Sequence, residues 1–433
     1  MIVRHLVRRA AGVVLAASAF AVASATFPAV AQADEVSRTE PEAAGFSADR
    51  LARIDALLEE YVDSGRLAGI QVRIDRGGQE VHRFRSGTMG ADDDRALPED
   101  AIWRIYSMTK PITSVAALML YEEGVFQLTD PITRFLPEFE GLQAYAEDGT
   151  VDAASVPTIQ QLLTHTAGFG YVFTPHPVDQ MIREANVFAS PDMDSFVAKM
   201  ASIPLVDHPG EQWRYSLASA LLGALVERAA GMPLDQFFAE RIFEPLDMRD
   251  TFFRVPEDKR DRLVRNHVWS AEHGVLVPID EGPLHVGADG MGFPAGGEGL
   301  FSTIRDYQRF AEMLRGGGEL DGARLLGRKT VEFMASDHLV VPAAGSGEAP
   351  TVQLGNLYPG GFGFGLGFGV ITSPQQLGVL ASEGEFSWGG AAGTIFWIDP
   401  VEDIAVVGMI QLMGSPWPFR NQLRSMTNAA LVD

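Results

Sequence analysis

Ser107-Met108-Thr109-Lys110 opens a segment of helical spacing that continues to Glu123 and is almost wholly apolar beyond Pro111. It is the only Ser-x-x-Lys in a chain that contains four lysines. Residues three apart on a helix share a face, so the hydroxyl and the amine can touch. A serine at a helix start also lies where free backbone N–H groups stabilise negative charge. The motif alone does not distinguish a nucleophile from a capping serine followed by a solvated lysine. The apolar helix, in which a single lysine cannot easily reach water, favours Ser107 as a nucleophile with Lys110 beside it.

Outward from this helix, the predicted strands lie near the two ends of the chain. Two alternating runs on either side of Gly77-Gly78 indicate a β-hairpin. These and the later predicted strands are Ile70–Ile74, Glu80–Phe84, Leu366–Thr372, Thr394–Ile398 and Ile404–Met413. Helical patterns between them include Thr158–Thr166, Ser216–Ala230 and Leu234–Phe243. We therefore predict an α/β (α+β) domain, residues 34–114 and 296–433, with a mostly helical domain, 115–295, inserted in it.

The N-terminus has the pattern of a targeting segment. Three arginines among the first nine residues precede an uncharged, alanine-rich run, Ala10–Ala25, and the small-residue triplet Ala31-Gln32-Ala33. This pattern is typical of a cleavable export signal, whereas a membrane span needs about 20 strongly apolar residues. We expect residues 1–33 to be removed, with Ala25 as the second choice of cleavage site. The mature protein would be periplasmic or secreted, without stable membrane insertion; the choice between general and twin-arginine export stays open.

The composition excludes several classes of function. The chain has 433 residues, with 34 basic against 57 acidic side chains and a net charge of −23. A surface this negative repels phosphate backbones, so we expect no nucleic-acid partner. Cysteine is absent and the nine histidines form no recognised zinc motif, so we expect neither a metal nor a cofactor.

Three motifs in a fixed order resemble one known superfamily. The Ser-x-x-Lys motif is followed by Tyr215-Ser216 and, near the end of the chain, by Trp388-Gly389-Gly390. Supporting segments are Leu162–Gly168, Pro209–Ser216 and Gly297–Thr303. Over about residues 45–425 the chain resembles the serine β-lactamase-like superfamily, in particular class C β-lactamases and, among these, family VIII carboxylesterases. The resemblance implies a β-lactamase/transpeptidase-like fold: an antiparallel sheet flanked by helices, a helical domain, and the site between the two.

The resemblance also implies a role for each motif. Ser107 would carry the acyl group, while Lys110 and Tyr215 would together take its proton and pass it to the leaving group. Lysine and tyrosine alone, with ordinary pKa values of ~10.4 and ~10, are mostly protonated at pH 7. A desolvated pair can share one proton and so provide a usable base. The backbone N–H groups of Ser107 and Ala391 would form the oxyanion hole.

The implied substrate-binding residues depart from the lactamase pattern. Leu217 stands where class C enzymes have the Asn of Tyr-x-Asn, and Trp388 stands where they have the Lys of Lys-Thr-Gly. Gly389 and Gly390 would let a substrate carbonyl approach the strand backbone. A site without that amide and that cation favours uncharged acyl groups. We therefore predict a serine carboxylesterase whose partner is a small-molecule ester.

Other functions of the same scaffold stay open at this point. They are β-lactamase, D-amino-acid peptidase or other amide hydrolase, and acyltransferase; the presence of all three motif residues disfavours a non-catalytic penicillin-binding relative. No Gly-x-Ser-x-Gly motif accompanies the histidines, so we predict a structural role for His165. The sequence leaves the oligomeric state undetermined.

Overall fold

The computed structural model describes residues 38–279, 285–339 and 360–433. The predicted export signal, residues 1–33, lies outside the described residues. Among the helices in those ranges, none is long and apolar enough to cross a membrane.

A large antiparallel sheet joins the two ends of the chain. In chain order, the strands of the described ranges are β1 (Gly69–Arg76), β2 (Gln79–Gly90), β3 (Asp93–Ala96), β4 (Trp103–Arg104), β5 (Gln143–Ala146), β6 (Gly149–Asp152), β7 (His267–Ser270), β8 (Val275–Pro278), β9 (Phe301–Ser302), β10 (Glu319–Leu320), β11 (Ala323–Arg324), β12 (Phe362–Phe364), β13 (Gly369–Ile371), β14 (Phe386–Gly389), β15 (Ile395–Asp399), β16 (Ile404–Met409) and β17 (Leu412–Met413). Eight of them form one sheet in the order β12-β13-β14-β15-β16-β1-β2-β3. The pairing of β1 with β16 joins the N-terminal and C-terminal strands; it is antiparallel and places Gln71 opposite Met409.

The α-helices of the same ranges are α1 (Ala48–Asp63), α2 (Thr109–Glu122), α3 (Ile159–Leu163), α4 (Pro177–Glu184), α5 (Met193–Ala201), α6 (Ala218–Ala230), α7 (Leu234–Phe238), α8 (Ile304–Arg315), α9 (Arg328–Met334), α10 (Pro374–Leu377) and α11 (Phe419–Ala430). Most of those from α2 to α7 lie in the middle of the chain, between the two groups of strands. A mixed α and β fold, with an antiparallel sheet built from both ends of the chain, was predicted and is confirmed. The predicted boundary positions of the two domains stay a prediction.

Both faces of the sheet pack against helices. Successive side chains of a strand point to opposite faces, so one strand contributes to both apolar clusters. In β15, Ile395 and Trp397 belong to the apolar cluster shared with α1 and α11. Phe396 and Ile398 belong to the cluster shared with α2 and α8. This alternation explains why the β15 segment is apolar at consecutive positions although it is a strand.

Helix α2 is held in place from several sides. Its residues from Thr109 to Leu120 are all buried. The Tyr307 hydroxyl of α8 donates to the backbone oxygen of Met108 at 2.9 Å. On the side of α6, a Cβ on Gly296 would lie 3.0 Å from Gly223 Cα and 3.1 Å from Thr113 Cγ2 of α2, so the backbone of Gly296 packs closely against both helices. The start of α2 is therefore fixed between the sheet side and the helical side of the molecule.

The middle of the chain also contains β-structure that the sequence analysis did not predict. Two hairpins lie there, β5–β6 and β7–β8. Strand β7 also pairs in parallel with β17 from the C-terminal part of the chain. Their strands have only four residues each, too few for an alternating pattern to stand out.

Candidate active site

Ser107 lies on a tight turn at the start of α2. Residues Tyr106–Met108 form a single turn of 3₁₀ helix that leads directly into α2. The preceding Tyr106 has φ of +45°, a left-handed conformation that is uncommon for a bulky residue. Its hydroxyl accepts from Asn266 Nδ2 at 2.8 Å, and burial raises the pKa of Tyr106 to about 12. The strained turn is thus held by a buried, uncharged side chain.

Lys110 and Tyr215 both reach the Ser107 hydroxyl. Tyr215 Oη lies 2.7 Å from Ser107 Oγ, and Lys110 Nζ lies 3.2 Å from the same atom. Lys110 also donates to the backbone oxygen of Gly297 at 2.7 Å, and its Nζ is 4.8 Å from the centre of the Tyr215 ring. Ser107 and Lys110 are 9% and 1% exposed, so these contacts form out of bulk water. The structure brings together the three residues that the sequence analysis named as nucleophile and base.

A carboxyl group that the sequence analysis did not assign lies beside the amine of Lys110. Glu298 Oε2 is 3.8 Å from Lys110 Nζ and accepts from the Tyr171 hydroxyl at 3.2 Å. Burial raises the pKa of Glu298, although the Lys110 ammonium acts in the opposite direction. Burial and the neighbouring Glu298 also raise the pKa of Tyr171 well above its ordinary value. The available signal was an acid flanked by glycines in Gly297-Glu298-Gly299, within a segment already used for the resemblance.

The ring of His165 packs against the ring of Tyr215. The two ring centres are 5.0 Å apart, and His165 Nδ1 accepts from the backbone N–H of Ser216 at 3.3 Å. Complete burial, and then the nearby Lys110, lower the pKa of His165 well below its ordinary value. The imidazole is therefore neutral at neutral pH, and its hydrogen bonds go to Ser216 and Ser219.

The turn that follows β14 lies against the segment that leads into Ser107 and α2. A Cβ on Gly390 would lie 2.4 Å from the backbone oxygen of Ile105, two residues before Ser107, so only glycine permits this approach. Ala391 and Ala392 pack in the apolar cluster that contains Tyr106. In the part of the chain that the structure describes, the backbone N–H groups of Ser107 and Ala391 have no hydrogen-bond acceptor. An oxyanion hole requires two such free donors near the reacting serine.

Arg420 of α11 holds this turn from the other side. Its guanidinium donates to the backbone oxygen of Gly390 and to that of Thr394 at 2.9 Å. Gly390 N–H donates in turn to the same Thr394 oxygen at 2.9 Å. The sequence analysis did not single out Arg420, because nothing in the local pattern of a C-terminal helix shows which side chain reaches back to a distant turn.

The two predicted specificity residues have different surroundings. The ring of Trp388 lies 5.4 Å from that of Tyr215 and 5.3 Å from that of Phe364, which places the indole at the site. Leu217 is 1% exposed and precedes α6, with its N–H donating to the Gly170 oxygen at 3.1 Å. Leu217 therefore belongs to the apolar cluster against which Tyr215 packs. Gly389 is the last residue of β14 and lies next to Arg420. A Cβ on Gly389 would lie 2.8 Å from the guanidinium carbon of Arg420.

The arrangement can activate a serine and stabilise an oxyanion using protein groups alone. Over the described ranges, His, Asp and Glu side chains form no group of three placed to hold a metal ion.

Comparison with known proteins agrees with this geometry. The family model described as Beta-lactamase matches residues 54–431. Protein Rv1367c of Mycobacterium tuberculosis (strain ATCC 25618 / H37Rv) is 34% identical, covering 82% of this chain and 88% of the relative. Esterase EstB of Burkholderia gladioli is 31% identical, covering 85% and 92%. The solved structure of EstCE1, described as a hydrolase with promiscuous acyltransferase activity, has a TM-score of 0.73 at 25% identity, covering 88% and 99%.

The chain therefore belongs to the β-lactamase family. Its fold is that of a group whose members include esterases and acyltransferases.

Proposed function

We propose that the protein is a serine carboxylesterase of the family VIII type, which hydrolyses small, uncharged esters through an acyl-enzyme on Ser107. The observation that carries the proposal is the convergence of Tyr215 Oη and Lys110 Nζ on Ser107 Oγ, at 2.7 and 3.2 Å. A serine needs such a base to become nucleophilic, and here the amine of that base, Lys110, is 1% exposed.

In acylation, Ser107 Oγ attacks the ester carbonyl carbon and gives its proton to the Tyr215–Lys110 pair. The negative charge then develops on the carbonyl oxygen, where the N–H groups of Ser107 and Ala391 stabilise it. As the tetrahedral intermediate collapses, the C–O bond breaks and the pair returns its proton to the departing alkoxide. In deacylation a water molecule takes the place of the alcohol and the same groups act in reverse.

The preference for uncharged esters is supported by the surroundings of Trp388. Its indole is 5% exposed and packs against the rings of Tyr215 and Phe364, so the surroundings of Tyr215 on this side are apolar. A β-lactam carboxylate would gain no lysine contact at position 388, and desolvating a charge without a partner is unfavourable. We further propose that the mature protein acts outside the cytoplasm, from the N-terminal sequence pattern.

Acyl transfer is a second candidate, favoured by the name of EstCE1, a hydrolase with promiscuous acyltransferase activity. The acyl-enzyme is common to both reactions, and the acceptor decides between them. An alcohol added to the assay separates them: hydrolysis gives only the free acid, whereas transfer gives a new ester.

The proposal is tested with p-nitrophenyl esters of increasing acyl length, nitrocefin and a fluorophosphonate probe. We expect the wild type to hydrolyse short and medium esters, to hydrolyse nitrocefin slowly or not at all, and to gain the mass of the probe on the peptide that contains Ser107. Ser107→Ala should lower kcat by roughly 10³-fold or more while the melting temperature stays near that of the wild type. Efficient nitrocefin hydrolysis without esterase activity, or labelling of another serine, would contradict the proposal.

A further inference from the structure

Glu298 is buried beside the base but has no part in the proton transfer derived above. It is 9% exposed, and its Oε2 lies 3.8 Å from Lys110 Nζ. Its second oxygen, Oε1, is buried without a hydrogen-bond partner among the described residues. A buried carboxyl whose hydrogen-bonding capacity is incompletely used is unfavourable for folding. Its position next to the amine suggests a functional reason for keeping it.

Lys110 Nζ has contacts on two sides. The Gly297 oxygen, at 2.7 Å, and the Glu298 carboxyl lie on one chain segment, while Ser107 Oγ lies 3.2 Å from the amine on α2. The ring faces of Tyr215 and Tyr171 are 4.8 and 5.6 Å from Nζ. A carbonyl dipole can orient an amine, but only the carboxylate can balance a full positive charge in this apolar setting.

We propose that Glu298 is a positioning residue for Lys110: its carboxylate keeps the amine next to Ser107 and balances the positive charge of the amine while it holds the serine proton. The inference rests on the proposed function, in which Lys110 is part of the base. Glu298 itself neither gains nor loses a proton: the proton leaves Ser107 Oγ, resides on the Tyr215–Lys110 pair and passes to the leaving alkoxide.

Several titratable side chains surround the Glu298 carboxyl. They are Lys110 from α2, Tyr171 from the segment after α3, and, beyond Lys110, Tyr215 and His165. Tyr171 donates to Oε2, and its ring stacks on that of Tyr215 with centres 5.5 Å apart. Tyr171→Phe therefore removes one hydrogen bond from Glu298 and keeps the stacked ring, whereas Glu298→Gln removes the charge and keeps the shape.

The test follows the pH dependence of serine reactivity. The rate constant for fluorophosphonate labelling of Ser107 and kcat/KM for p-nitrophenyl acetate are measured between pH 5 and 9. In Glu298→Gln the protonated amine loses its negative neighbour, so the base form persists to lower pH. The acid limb of both profiles should move down by about one pH unit. The plateau should fall by about three- to tenfold, because a weaker base abstracts the serine proton less effectively. Tyr171→Phe should shift the acid limb in the same direction by less.

Glu312→Gln is the matched control, because Glu312 is also a buried glutamate but pairs with Arg315 on α8. Its acid limb should coincide with that of the wild type. An acid limb in Glu298→Gln that is unchanged or moves up, in a variant whose melting temperature is near normal, would overturn the inference. If Glu298→Gln does not fold, Tyr171→Phe decides it by the same criterion. A wild type that is labelled at Ser107 but cleaves no ester would refute the proposed function, while the labelling profile would still decide the role of Glu298. A wild type that is not labelled would overturn both.

Discussion

Ser107 Oγ touches two potential bases at once, and this geometry makes a prediction about how Lys110 and Tyr215 act. If the two side chains share one proton, removing either one disables the pair. Lys110→Ala and Tyr215→Phe should each lower kcat/KM for an ester by about 10²–10⁴-fold. The double variant should be little worse than the more damaged single variant, because residues that act as one unit are strongly non-additive.

A double-mutant cycle on kcat/KM measures this coupling. Losses that multiply, so that the double variant shows the product of the two single effects, would mean that the two residues act independently. Ser219→Ala is a suitable control, because its hydroxyl contacts the neutral His165 and has no contact with Ser107.

Residues differ in how far their roles could be foreseen. The spacing of Ser107 and Lys110 alone predicts that they meet, because a helix places residues three apart on one face. Tyr215 required the resemblance, since it comes from another segment and only the fold brings it to the serine. Glu298 and Arg420 could not be predicted, because their importance comes from burial and long-range contacts that the local sequence does not encode.

At the scale of elements, α11 connects the C-terminus to the candidate oxyanion hole through Arg420. Arg420→Ala would leave the Gly390 and Thr394 oxygens without this donor and free the turn that carries Ala391. We expect kcat to fall by about ten- to hundredfold with little change in KM, somewhat less than the loss of an oxyanion donor itself. Both oxygens keep one backbone donor, Gly393 N–H and Gly390 N–H respectively, but the loss of the charged donor should reduce the free energy of unfolding by about 1–3 kcal/mol.

Steady-state kinetics and chemical denaturation of Arg420→Ala test this, with Asn421→Ala as the control, since Asn421 is exposed on the same helix. Lower stability with unchanged kcat would show that Arg420 is only a structural residue.

Helices and strands were predicted best where an N-capping residue precedes a regular spacing of apolar residues. Thr158 was predicted to start a helix, and it forms a capping box with Gln161 at the start of α3. The predicted helix at Leu234–Phe243 is α7 followed by a short π-helix, Ala239–Phe243. By contrast, the predicted strand Ile404–Met413 is broken between β16 and β17. An apolar run does not reveal where a strand leaves one sheet and joins another.

The buried acid Glu385 should make the free energy of unfolding of the whole molecule depend on pH. Burial raises the pKa of Glu385 to about 7, although Arg424 acts in the opposite direction. The folded chain therefore keeps a proton that the unfolded chain releases above about pH 4.5. The stabilising contribution of Glu385 is complete below that pH and is lost as the pH rises to about 7.

Glu385→Gln removes this titration. Relative to the wild type, its free energy of unfolding should rise by about 3 kcal/mol between pH 4.5 and pH 8, on top of a pH-independent offset from the altered contact with Arg424. Chemical denaturation at the two pH values measures the difference. The exposed neighbour Glu383, changed to Gln, should show no such rise. An equal difference from the wild type at both pH values would show that Glu385 does not titrate in this range.

The pairing of β1 with β16 also has a consequence for biosynthesis. Gln71 faces Met409 across the sheet, so one partner leaves the ribosome long before the other is made. At about 5–20 residues per second, the interval is roughly 20–70 s. During it, one edge of the nascent β1–β2 hairpin has no partner and can pair with other chains. Ser107 is translated early, whereas Ala391 and Arg420 come near the end of the chain, so the growing polypeptide contains Ser107 before the turn of the candidate oxyanion hole is made. A chain released prematurely before this turn would be both catalytically silent and prone to aggregate.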